Sequence, residues 1–248
     1  MTNWFARLLS VYWPQFLKGT GYTVMLAIVG TAGGFAIGLI VGVIRTIPRH
    51  PGGHEKLTFR SAVLWTVNAV LSVYIEVFRG TPMMVQAMLV YYGLPEFTSI
   101  QIDPLPAAIL VITLNTGAYM AEIVRGGIQS VSRGQSEAAH AIGMNHWQTM
   151  INVVLPQTIR NILPATGNEF VINLKDSSVL NVITFGELFY ATKTVAGVFY
   201  RTYEPFLIAA AIYFVLTFIS SRLVRLLERR LDGPRNFTIL AAPPANKE

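Results

Sequence analysis

Residues 21–44 read GYTVMLAIVGTAGGFAIGLIVGVI, 24 positions without one charged side chain. As a helix the run is about 36 Å long, enough to cross a hydrocarbon core of roughly 30 Å with some tilt. A chain that contains such a run has few options, because a bilayer admits only segments that satisfy their own backbone hydrogen bonds. The remaining 224 of 248 residues agree with a helical membrane protein. Charged residues are 13% of the chain and mean hydropathy is +0.48, whereas soluble domains carry about 25% charge. The length allows one domain of several helices. There is no cysteine, so disulfides and thiolate metal sites are excluded. The spacing of His50, His54, His140 and His146 fits solvent-exposed residues and no metal site. The net charge of +6 could suit nucleic acid. Its basic residues instead gather at the ends of apolar runs, where membrane orientation explains them, and nucleic acid is set aside. No cleaved signal peptide is expected.

Further apolar runs cover residues 105–128, 161–189 (irregular) and 205–227. A fifth region, 62–92, is interrupted by FRGTP at 78–82. Positive charge sets the count. Arg45, Arg49, Lys56 and Arg60 fill one loop, and Arg222, Arg225, Arg229, Arg230 and Arg235 crowd the C-terminal end. Five spans place both groups on the cytosolic side; six would separate them. Residues 61–78, with Asn68, Ser72 and Glu76, are therefore expected to be interfacial or shallow, and 81–94 to form the second span. The division expected is an extracytoplasmic segment 1–19, a membrane domain 20–231 starting with a span at 20–44, and a cytosolic tail 232–248. The row Gly34, Gly38, Gly42 is expected to be a helix-packing face.

Residues 136–156, SEAAHAIGMNHWQTMINVVLP, are too polar for a span. Ser132 and Gln135 have capping-box spacing. Glu137 then falls in a first helical turn, and Ala138, Ala139 and Ala141 give a slim surface. Gly143 ends this short helix and Asn145 starts the next, with a Leu-Pro at 155–156 closing the segment. On these residues alone a cytosolic helix–turn–helix and an ordinary well-capped loop fit equally.

The order of Glu137-Ala138-Ala139, three residues, Gly143, nine residues, then Val153-x-Leu155-Pro156 resembles the EAA loop of ATP-binding cassette importer permeases. Val153 stands where that family usually has Ile. The blocks IEVFRGTP (75–82), VQ (85–86), YYGLP (91–95), AYMAEIVRGGI (118–128), GNEF (167–170), NLKDSS (173–178) and LLERRL (226–231) resemble its polar amino-acid branch. The resemblance spans about residues 15–232. It implies an all-α membrane protein with about five transmembrane helices of the type I importer permease fold and a cytosolic coupling helix at 132–156. Glu137, Ala138, Ala139, Gly143, Leu155 and Pro156 would couple it to an ATPase. The function implied is the permease subunit of an ATP-dependent polar amino-acid importer, working by alternating access, multi-pass in a prokaryotic cell membrane with its C-terminus cytosolic. Partners implied are the ATPase subunits, a solute-binding protein, a second permease chain (itself or a sister), membrane lipid and the amino acid. The sequence has no GxxxxGK[ST] phosphate cradle. No cofactor is expected on this chain, ATP and Mg belong on the partner, and the chain is not expected to be an enzyme. The alternative is a self-sufficient secondary transporter or channel, which would show inverted repeats; none is discernible.

Polar residues inside spans need a reason. Asn115, Tyr119 and Glu122 share one face at i, i+4, i+7. Glu122 and Arg125 read best as a structural pair near the cytosolic end. Asn115, Thr116 and Tyr119 lie deeper and either line the substrate path or bond between helices. Asn173, Lys175, Asp176, Ser177 and Ser178 form a polar block where the helix is expected to unwind. Ser177, Ser178 and Asn115 would donate to an amino acid's carboxylate, and Asp176 would accept from its ammonium. The competing reading has Lys175 and Asp176 neutralise each other in a packed scaffold.

Overall fold

The computed structural model describes residues 2–47 and 59–231, which contain helices and no strand. Expectations for the tail 232–248 and for Arg49, His50, His54 and Lys56 lie outside the described residues. The long helices are α1 (Thr2–Thr46), α2 (Phe59–Gly80), α5 (Pro104–Ser130), α8 (Leu155–Asp176) and α10 (Tyr203–Leu231). Between α2 and α5 lie α3 (Met83–Met88), a π turn (Leu89–Gly93) and α4 (Leu94–Thr98). Two short helices, α6 (Arg133–Ala141) and α7 (His146–Thr149), join α5 to α8, and α9 (Leu188–Phe199) precedes α10.

Four segments are long and apolar enough to cross a membrane: Leu8–Thr46, Ser61–Gly80, Pro104–Ser130 and Tyr203–Arg230. The fifth, α8, has 22 residues and is less apolar. At about 33 Å it is still long enough to span, and its neighbours α1, α5 and α10 flank it.

Counting α8, five helices among the described residues are long enough to span, roughly the number the sequence reading expects, but the second one lies elsewhere. Residues 61–78 are not a short surface segment; they fill the 20-residue apolar stretch Ser61–Gly80, long and apolar enough to cross. Two of the polar residues there find partners: Asn68 is buried and its Nδ2 donates to Leu64 O at 2.8 Å, and Ser72 receives Arg45; Glu76 is exposed on this chain. Residues 81–94 are α3 and the π turn, too short to cross. Pro82, extended at φ −61°, ψ 135°, separates the two by removing an N–H.

The first helix also begins earlier than expected, at Thr2 instead of Thr20. Its N-terminal half is held by a core of Leu8, Phe16, Leu188, Val195 and Ile208. The polar block at 173–178 does not unwind: α8 runs through Asp176 and tightens into a 3-10 segment, Ser177–Ile183. Glu187 is fully buried after that segment. It is tolerated because Phe189 N and Tyr190 N donate to it at 2.7 Å each and Tyr213 Oη at 3.0 Å, which leaves no bare charge.

The central contact is α1 on α5, and the glycine row makes it. A Cβ at Gly34 would meet Thr116, at Gly38 Met120 and Ala121, and at Gly42 Val124. Small residues let the two backbones approach where lipid-facing side chains would hold them apart. At Gly38 the obstruction includes backbone: Met120 C would be 2.7 Å away and Ala121 N 2.8 Å. Gly38→Leu is therefore expected to destabilise the chain by about 3 kcal/mol or more, read as a lower midpoint of thermal unfolding in detergent. Gly21→Leu is the control, since nothing lies within 4 Å of its Cβ position, and should leave the midpoint unchanged. Equal midpoints for the two variants would show that α1 and α5 can separate without cost.

Candidate functional site

The break between α2 and α3 leaves helix-end carbonyls in an apolar setting, and two amides collect them. Gln86 Nε2 donates to Phe78 O at 2.9 Å, Thr81 O at 3.0 Å and Thr81 Oγ1 at 2.9 Å. Asn115 Nδ2, from α5, donates to Phe78 O at 3.2 Å and Gln86 Oε1 at 3.0 Å. This knot pins the break against α5 and opens a cavity of about 490 Å³ beside it. Arg79, Gly80 and Thr81 form one wall, Asn115 and Tyr119 a second, and Glu169, Ile172, Asn173 and Asp176 a third. The last four recur at i, i+3, i+4, i+7 on α8, which is one helix face. Arg79 sits 5.3 Å from the centre of the Tyr119 ring, a cation–π placement that holds the guanidinium over the cavity wall. One guanidinium thus faces two carboxylates, Glu169 and Asp176, across a space of amino-acid size.

Of the residues expected on a substrate path, Asn115, Tyr119 and Asp176 line this cavity. Thr116 does not. It is buried and donates to Asn173 Oδ1 at 3.1 Å, while Asn173 Nδ2 donates to Thr31 Oγ1 at 3.0 Å, tying α5, α8 and α1 together. Ser177 is buried and its hydroxyl donates to Leu174 O at 3.1 Å. Ser178 is half-buried and is not among the lining residues. Lys175 and Asp176 are both exposed on this chain and form no ion pair with each other; the described pairs are Arg45–Glu122, Arg125–Glu122 and Arg201–Glu204. Glu122 pairs with Arg125 at 2.6 Å and also with Arg45, which reaches Ser72 as well. Arg79 and Glu169 join the cavity lining, and Gln86 stands behind it, beyond the residues that the sequence points to. The signal that could have found them is Glu169 seven residues before Asp176, two acids on one face of a span.

The segment after α5 turns as the sequence suggests, with two differences. Gly143 has φ +87° and stops α6. Asn145 makes a full capping box with Gln148, both bonds 2.9 Å. Ser132 occupies the N-cap of α6, but its side chain makes no cap bond; Gln135 N bonds to the Ser132 carbonyl instead. The Leu-Pro pair does not end the segment. α7 passes through a π turn (Met150–Val154) directly into α8, and the widened turn just before Pro156 accommodates a residue that has no N–H to give the helix. Glu137 and Ala138 are exposed, Ala139 is buried, Leu155 is half-buried and Pro156 is exposed. Ile142 and Trp147 flank Gly143 with 81% and 55% of their surface open.

Residues 60–233 match the model of the family described as "binding-protein-dependent transport system inner membrane component". The chain belongs to this family. The permease is similar to the glutamine transport system permease protein GlnP of Escherichia coli K12, 38% identical over 226 residues, covering 90% of this chain and 96% of that protein. It is similar to the arginine transport system permease protein ArtQ of Bacillus subtilis strain 168, 35% identical over 220 residues, covering 89% and 94%. Among solved structures, an amino acid ABC transporter crystallised with histidines superposes at TM-score 0.78 with 39% identity, covering 91% of this permease and 98% of that chain. The inward-facing MetNI methionine transporter shares the fold at TM-score 0.71 and 20% identity, covering 88% and 96%. The permease is a transport subunit, and ATP is used by a partner ATPase.

Proposed function

We propose that this permease imports polar amino acids through the cavity between Arg79, Asn115, Glu169 and Asp176. One observation carries the reading: charges of both signs face a single cavity beside a helix break. An α-carboxylate needs a fixed cation, which Arg79 supplies. An α-ammonium needs acceptors, which Glu169 and Asp176 supply. Two carboxylates against one guanidinium leave an excess of negative charge, which favours a neutral polar or basic side chain over an acidic one. The names of the relatives, glutamine and arginine permeases, accord with that preference.

The cycle is alternating access. A solute-binding protein delivers the amino acid on the outer side, near the α9–α10 turn and α4. ATPase subunits, holding ATP and Mg, dock on the Gly143 turn, with Glu137, Ala138, Ala139, Leu155 and Pro156 as its frame. ATP-driven closure draws the turns of two permease chains together, and the second chain, a copy or a sister, completes the path. The basic end of α10, with Arg222, Arg225, Arg229 and Arg230, suits the cytosolic side of the bacterial membrane. Family membership favours this over a self-sufficient secondary transporter.

The test is binding of L-glutamine and L-arginine to the permease–ATPase complex without binding protein, so that the delivery step does not mask the cavity. Glu169→Gln and Arg79→Ala each remove a charge-assisted contact of about 1.5–3 kcal/mol and should weaken binding about ten- to hundredfold. Unchanged affinity in both would move the substrate elsewhere.

A further inference from the structure

We infer that Gln86, a residue outside the cavity lining, decides what Asn115 offers the substrate: an acceptor, and not a donor. The inference rests on the reading of the cavity as the amino-acid site. Gln86 is 7% exposed, and its amide has no freedom to turn. Its Nε2 faces the carbonyls of Phe78 and Thr81 at 2.9 and 3.0 Å. A carbonyl oxygen can only accept, so the nitrogen must point at these two and Oε1 must point away. That Oε1 lies 3.0 Å from Asn115 Nδ2, which is also 3.2 Å from Phe78 O. Both neighbours of the Asn115 nitrogen are therefore acceptors, and its two hydrogens are spent on them. Turning the Asn115 amide by 180° would set its oxygen against two other oxygens. The atom left for the cavity is Asn115 Oδ1, and the group it can read is an N–H.

The consequence reverses the sequence-based expectation that Asn115 donates to the carboxylate. Asn115 Oδ1 joins Glu169 and Asp176 as acceptors for the α-ammonium, and Arg79 is the donor for the carboxylate. Gln86 is a positioning residue: it touches no substrate and acts through Asn115. A carboxylate at position 86 could not do this, because it has no hydrogen for Phe78 O and Thr81 O. An apolar residue there would leave Asn115 held only by its weaker bond to Phe78.

The experiment is a double-mutant cycle on equilibrium binding of L-glutamine to the permease–ATPase complex, using Gln86→Leu, Asn115→Ala and the pair. Gln86→Met, of similar volume, replaces Gln86→Leu if the latter fails to assemble. Each single variant should weaken binding about five- to thirtyfold, and the pair no more than Asn115→Ala alone, because the second change has nothing left to position. A purely structural Gln86 would give losses that multiply, and that outcome overturns the inference. The polarity is read with the desamino analogue of L-glutamine in competition. Its penalty relative to L-glutamine should be smaller in Gln86→Leu than in the parent by about three- to tenfold; an equal penalty would mean that Asn115 does not read the ammonium. Glu169→Gln separates this from the broader reading. If Glu169→Gln and Arg79→Ala both bind normally, the cavity is not the amino-acid site; if either binds poorly while the cycle is multiplicative, the cavity stands and only the role of Gln86 fails.

Discussion

Glu122→Ala should lower the thermal midpoint of the permease complex in detergent by about 10 °C. Glu122 is the only acid among the described ion pairs of the α1–α2–α5 junction, and it serves two guanidiniums. Arg125 donates to it through Nε at 3.0 Å and Nη2 at 2.6 Å, and Arg45 reaches it from the end of α1. About four-fifths of the Arg45 and Glu122 side-chain surface is covered, with 21% of each exposed. Removing the acid strands two partly covered cations close together, and breaking a buried pair costs about 3–5 kcal/mol. Because the arginines lie near helix ends and can turn toward water, the low end of that range applies. For a chain of this size each kcal/mol moves the midpoint by about 2–4 °C. Adding Arg45→Leu to Glu122→Ala should recover part of the loss, since one stranded charge is then gone. A midpoint within about 2 °C of the parent for Glu122→Ala would show that water already solvates the cluster.

Gly143→Leu should uncouple the permease without unfolding it. At φ +87° a leucine costs about 1–2 kcal/mol. No atom lies within 4 Å of the Cβ position, so the cost is conformational and local. It is relieved by reshaping the turn between Ile142 and Trp147. The expected result is normal insertion and assembly, with ATPase activity stimulated by binding protein and L-glutamine reduced at least about tenfold, the equivalent of 1.4 kcal/mol lost from a docking contact. Gly143→Asn, which tolerates positive φ, should retain most of the stimulation. Full stimulation in Gly143→Leu would show that the turn does not carry the coupling.

Much of this molecule is legible from local rules, and the failures share one cause. The charge-free run at residues 21–44 implies a span because its length and the bilayer's thickness match. Gly34, Gly38 and Gly42 imply a packing face because their spacing repeats the helix. Gly143 and Asn145 imply a helix stop and start, and the structure has φ +87° at the one and a capping box at the other. Each of these depends on residues within a few positions. Positive charge sets the number of spans and does not say which half of 62–92 supplies the second; residues 61–78 carry Asn68 and Ser72, whose partners, one on the same helix and one at the end of α1, only the structure shows. Ser177 reads as a substrate ligand until the 3-10 turn after α8 is seen to aim its hydroxyl back at Leu174 O. The cavity is the clearest case. Arg79 ends one helix, Asn115 lies in the middle of another and Glu169 and Asp176 share a third. Periodicity says which side of its own helix each residue occupies. It does not say which helix stands opposite, because that choice is made by close packing between segments far apart in the chain, and only there do Gln86 and Asn115 become one hydrogen-bonded unit.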